Sequence, residues 1–205
     1  MFGWLEVIRF RTASPPIIEC VDKSMESLER GRDLTRRLLT FAGGGAPVKT
    51  SLDLNNLLLQ ACAILQTETH TITVNPGVNL PAVDADPEQM QLALENLLSN
   101  AKLAMPAGGH IEAKTELRPS GHVRITISDH GPGVSASLLH KIFDPFFTTI
   151  PGRAGLGLAM VHSIISRHGG HIHVDNSPKG ASFVMDMPPS NGAPLGAQLR
   201  EGVFC

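Results

Sequence analysis

The 205-residue chain lacks any uninterrupted apolar run approaching the ~20 residues needed to cross a bilayer. Met1–Phe10 carries Glu6 and Arg9 and is short, so neither a membrane anchor nor a signal peptide is expected. Cysteine is scarce. Cys20, Cys62 and Cys205 are odd in number, widely scattered and without metal-site spacing, which excludes a disulfide framework and favours a reducing cytoplasm. An excess of one charge is missing too. Seventeen Lys and Arg stand against 19 Asp and Glu, and this balance argues against broad electrostatic binding to nucleic acid. There is no internal repeat and no extended low-complexity segment. One main domain with appendages is the natural expectation for this length.

What is present is concentrated between Asp129 and Leu158, where two glycine clusters occur. Asp129, Gly131 and Gly133 form a D-x-G-x-G turn directly after the strand-like run HVRITIS. Gly155, Leu156, Gly157 and Leu158 open a helical pattern, LAMVHSIISRHG. Glycine lets backbone N–H groups approach an anion closely, and a helix start adds positive potential, so the second cluster suits phosphate. A lone carboxylate is a pure acceptor and suits the exocyclic amine of adenine.

Around this centre the chain reads as follows. Residues 1–21 carry little signal, and Pro15-Pro16 interrupts any continuous helix there. From Asp22 to Phe41, Leu28, Leu34, Leu38 and Phe41 recur at helical spacing among charged residues, and Gly43–Gly45 with Pro47 mark a hinge, closing a 22–45 segment. The main domain is expected over 46–189, with 190–205 a flexible tail. Asp53 is a plausible N-cap for a helix to about Leu65, and Asp86-Pro87-Glu88 opens another whose apolar stripe is Met90, Leu94, Leu97 and Ala101. Asn96 and Asn100 share a different face of that helix. Thr71–Val74 is a short strand. HIEAKTEL and HVRITISD form one hairpin, and the strands from His171 and from Ala181 form a second. The predicted fold is α/β (α+β): a two-layer sandwich with a mixed, mostly antiparallel sheet and helices on one face.

Five of these stretches, in order, resemble the boxes of bacterial sensor histidine kinases. Asn96-Leu-Leu-Ser-Asn100-Ala resembles the N box, DHGPG the first glycine box and FDPFFTT the F box. GLGL is similar to the second glycine box, and Gly180-Ala-Ser-Phe to a late GT-x-F-type box. The resemblance implies a Bergerat-type ATP-binding domain, also used by gyrase-like ATPases and MutL proteins. It implies ATP and Mg²⁺ as cofactors, with Asn100 the principal metal ligand and Asn96 assisting. Asn96 stands where gyrase-type relatives carry a water-activating glutamate, so fast hydrolysis is not expected; phosphoryl transfer fits better. The ERGRDLTRRLLTFA segment resembles a second dimerisation helix, implying a possible homodimer through residues 22–41.

The departures from that family are specific. Lys102 reads equally as a phosphate contact or a solvated lysine. Ile150 replaces a common lysine in the predicted lid Phe143–Arg153, and Arg153 could restore the cation. Phe143, Phe146 and Phe147 are expected to anchor the lid by packing, and Ser182 to bring a hydroxyl near the phosphates or simply fill a turn. No histidine precedes His70, so no phospho-acceptor is found and autophosphorylation from this chain alone is not expected; the histidine would be supplied in trans, on a partner's acceptor helix. A response regulator is a further possible partner. Two other readings remain open: a non-catalytic nucleotide-binding module sensing ATP or ADP, and a metal-dependent hydrolase with Zn²⁺ on His110, His171 and His173.

Overall fold

Pro15 starts a helix rather than preventing one. The structure, a computed structural model, describes residues 2–41, 46–151, 153–177 and 180–190. Helix α1 spans Phe2–Arg11 and α2 spans Pro15–Phe41. Proline at a first helical position gives up no intrahelical bond, and the Ser14 carbonyl accepts from the N–H groups of Ile17 (3.1 Å) and Ile18 (3.0 Å). The expected interruption therefore falls just ahead of the prolines, and α2 begins well before Asp22. Of the predicted stripe, Leu28 is half-buried and Leu38 exposed. The side chains of Leu34 and Phe41, the hinge at 43–45 and the tail beyond residue 190 lie outside the described residues. These helices belong to one compact unit, Met1–Gly44; a second comprises Gly45–Cys205. No helix among the described residues is long and apolar enough to cross a membrane.

The second unit follows the pattern of its apolar residues. Its strands are β1 (Thr50–Leu52), β2 (His70–Asn75), β3 (Val83–Ala85), β4 (Gly109–Leu117), β5 (Val123–Asp129), β6 (His171–Ser177) and β7 (Gly180–Met187). Five of them form a sheet in the order β2-β4-β5-β7-β6, with only β2 and β4 parallel among the pairs. The short pair β1-β3, unmarked by any sequence signal, makes a separate antiparallel ribbon. Period-two alternation sends Ile111, Ala113, Ile125, Ile127, Phe183 and Met185 to one face. Against that face pack α3 (Leu54–Leu65), α4 (Pro87–Ala104) and α5 (Gly157–Arg167). The opposite face is polar, and there Arg124 grips Asp186 with two 2.7 Å bonds, holding its carboxyl below the usual range.

The capping aspartates act as expected. Asp53 accepts from the N–H groups of Asn55 (2.8 Å) and Asn56 (3.3 Å), and Asp86 accepts from that of Gln89 (3.1 Å). Each such cap contributes about 1 kcal/mol. The predicted stripe Met90, Leu94, Leu97 and Ala101 is fully buried.

One buried histidine fastens α5 to the start of α4. His168, 2 % exposed, donates from Nδ1 to the Ile164 carbonyl (2.7 Å) and accepts at Nε2 from the Asp86 N–H (3.0 Å). Those bonds require the neutral ring. Burial pushes its pKa below 6.5, outweighing the Ile164 carbonyl, which acts to raise it. A neutral base with a depressed folded pKa contributes stability that is complete above its unfolded pKa, about 6.5, and is lost as pH falls towards the folded value. The urea midpoint should therefore drop between pH 7 and pH 5 more steeply in the wild type than in His168→Gln, whose side chain takes up no proton. Parallel pH profiles for the two proteins would contradict this role.

Candidate functional site

Strand β5 ends in a carboxylate at an inward position. Val123, Ile125, Ile127 and Asp129 all point to the helix side, so an apolar row closes on an acid. Asp129 is 6 % exposed. Its Oδ1 accepts from the Gly131 N–H (2.9 Å) and from the Ala181 N–H of β7 (3.4 Å). Both bonds converge on one oxygen, and Oδ2 takes part in neither. Gly133, with φ +72°, completes the turn. The Ala181 contact had no sequence signal, because it depends on the β5-β7 register.

Helices α4 and α5 bring Asn96 to the second glycine cluster. Asn96 is 7 % exposed, and its Nδ2 donates to the Leu92 carbonyl (2.7 Å), which turns Oδ1 away from its own helix. A Cβ on Gly157 would lie only 3.1 Å from that oxygen, so glycine allows α5 to start against the Asn96 amide. Asn100 follows one turn later, about 40° round the helix from Asn96, and is half-buried. Leu156, buried at the N-cap of α5, offers no side-chain bond, unlike Asp53 and Asp86. The first amide groups of α5 are thus left without a capping side chain, the arrangement that suits an anion. Gly155 precedes this cap and Leu158 packs half-buried against the core. Glu95 is turned along α4, where it accepts from Gln91 Nε2 (2.9 Å).

The segment between β5 and α5 contains neither strand nor helix among its described residues, as a lid would. Ile142 is buried, and Phe143 and Phe147 pack against the core. Phe146 does not: it is 65 % exposed and adopts a left-handed backbone (φ +67°). Arg153 is exposed in this segment, two residues before Gly155.

Several expected site residues are directed elsewhere. Lys102 lies about 200° round α4 from Asn100, and its Nζ donates to the Leu65 carbonyl at the end of α3 (3.0 Å). It completes a helix C-terminus rather than reaching phosphate. Ser182 alternates onto the open face of the sheet, where its hydroxyl bonds that of Ser128 (2.7 Å), away from Asp129. The zinc set is also corrected. His110 sits on β4 and His171 and His173 on β6, with β5 and β7 between them. Three strand spacings put them roughly 14 Å apart, far beyond shared ligation at about 2 Å. Among the described residues no cluster of three or more His, Cys, Asp or Glu could hold a metal. His110 instead meets Thr71 (3.0 Å) and the His130 ring, while His171 stacks on His173.

The chain is 31 % identical over 191 residues to the signal transduction histidine-protein kinase AtoS of Escherichia coli (strain K12), covering 91 % of this chain and 31 % of AtoS. The chain spans about a third or less of the length of the curated relatives it matches. Among solved structures, full-length ShkA in complex with AMPPNP superposes with a TM-score of 0.84 at 26 % identity, covering 98 % of this chain and 45 % of that one. The nucleotide-free catalytic domain of the histidine kinase ThkA gives 0.62 at 30 % identity, covering 69 % and 95 %. Residues 85–191, more than half of the chain, match the family described as histidine kinase-, DNA gyrase B- and HSP90-like ATPase. That span contains Asn96, Asp129 and both glycine clusters, so sequence and geometry agree: the chain belongs to this family and carries the ATP-binding catalytic domain of a two-component histidine kinase.

Proposed function

We propose that this chain binds ATP with Mg²⁺ and donates the γ-phosphoryl group to a histidine supplied in trans. The observation that carries the reading is the buried Asp129, whose two main-chain bonds occupy a single oxygen. The other oxygen would accept from the exocyclic amine of adenine, with Gly131 and Gly133 shaping the turn beneath the base. The uncapped start of α5, from Gly155 through Leu158, would receive phosphate oxygens on backbone N–H groups, and Arg153 would add a cation from the lid. The amide oxygens of Asn96 and Asn100 fit a hard cation whose charge triphosphate already balances, so they would hold Mg²⁺, which neutralises charge between phosphate oxygens.

Among the described residues, neither Asn96 nor Glu95 is placed to activate water beside the proposed phosphate cradle. Asn96 carries an amide, and Glu95 is turned towards Gln91. Transfer to an incoming imidazole therefore fits better than hydrolysis: its nitrogen bonds the γ-phosphorus, the bond to the β–γ bridging oxygen breaks, and ADP leaves. Positioning and charge supply most of such catalysis. Residues 22–41, in α2, would pair with a second copy; Leu38 is exposed on that segment, and Trp4 and Phe10 expose apolar side chains on α1 of the same unit.

Asp129→Asn replaces a pure acceptor with a group that also donates, and should weaken ATP by at least about tenfold in calorimetry. Unchanged affinity would contradict the adenine assignment. Given γ-labelled ATP, Mg²⁺ and a separate histidine-bearing helical hairpin, the wild type should place acid-labile phosphate on the hairpin, and Asp129→Asn should not. Tight ATP binding with no transfer would reduce the chain to a nucleotide-binding module.

A further inference from the structure

The turn carrying Gly131 and Gly133 has to cross a strand. Strands β5 and β6 are not neighbours, because β7 lies between them. Yet Val134, immediately after the turn, is tied to Asn176 of β6 through both of its main-chain groups. The Val134 N–H donates to Asn176 Oδ1 (2.7 Å), and Asn176 Nδ2 donates to the Val134 carbonyl (2.6 Å). The side-chain amide thus bonds this residue much as a neighbouring strand would. Between its ends the turn passes over Gly180, the first residue of β7. A Cβ there would overlap the Asp129 carbonyl oxygen and lie 3.1 Å from the Cα of His130, and φ is +134°. Gly180 makes the crossing possible, and Asn176 fixes where it lands.

We infer that Asn176 is a positioning residue for nucleotide binding, setting the path of the turn from Asp129 to Val134 and hence the floor beneath the base. The inference rests on the nucleotide reading of Asp129. The near end of the turn is held by the Asp129–Gly131 bond, and the far end by this clamp. Asn176 itself is exposed, and β6 pairs with β7 through the backbone, so the clamp can be removed without opening the core. Val134 leans half-buried on that core and continues into the lid segment, so the clamp also fixes where the lid begins.

The test compares wild type, Asn176→Ala, Asn176→Asp and Asp129→Asn by ATP titration, thermal melting and amide exchange at Val134. Asn176→Ala should weaken ATP by about tenfold, keep the wild-type melting temperature to within about 3 °C and speed exchange at Val134. Asn176→Asp keeps the acceptor for the Val134 N–H and loses the donor, so its affinity should fall between. If wild type binds ATP and Asp129→Asn weakens it while Asn176→Ala binds like wild type, the inference is overturned and the nucleotide reading stands. An affinity loss in Asn176→Ala that comes with a large fall in melting temperature, and is not partly rescued by Asn176→Asp, also overturns it. Failure of the wild type to bind ATP overturns both.

Discussion

A carboxylate buried at the end of a strand, with its donors supplied by main chain, is the constraint on which the rest of the catalytic domain depends. An acid taken out of water is costly unless donors are fixed around it. Asp129 receives one from the glycine turn that follows it and one from the neighbouring strand β7. The register of β5 against β7, set by alternating apolar residues along both strands, therefore decides where the Asp129 carboxylate points. A shift by one residue would turn Asp129 towards the open, polar face and carry Ile127 with it.

The proposed phosphate end follows from helix packing. Helix α5 starts against α4 because Gly157 leaves room for the Asn96 amide, and that amide is oriented by its own bond to Leu92. The far end of α5 is tied to the cap of α4 through His168 and Asp86. Helix α5 is thus tied to α4 at both of its own ends, and its uncapped N-terminus is held beside Asn96. An irregular stretch leads from β5 to α5, with Phe143 and Phe147 packed against the core.

Much of this was legible in the sequence, and the failures share a cause. Asp53 and Asp86 announced their helices because capping is local, and Met90, Leu94, Leu97 and Ala101 marked a buried face by spacing. The two hairpins were legible for the same reason. Helix α1 and the ribbon β1-β3 carried no comparable pattern. Lys102 was ambiguous because its neighbours in sequence do not reveal that α3 ends beside it. Ser182 failed by strand alternation: Ala181 and Phe183 face the helices, so Ser182 faces away. The zinc set failed by strand order, which inserts β5 and β7 between histidines on the same sheet face. The clamp of Asn176 on Val134 joins residues 42 apart in the chain and has no motif at all.

The central claim is that Asp129 reads an amine. Inosine triphosphate keeps the sugar and phosphates of ATP and replaces the 6-amino group with an oxo group, so it isolates that one contact. Calorimetric titration with Mg²⁺ should give inosine triphosphate at least about tenfold weaker binding than ATP in the wild type. In Asp129→Asn the preference should narrow or reverse, because the amide can donate to the oxo group. Equal affinity for the two nucleotides in the wild-type protein would contradict the account.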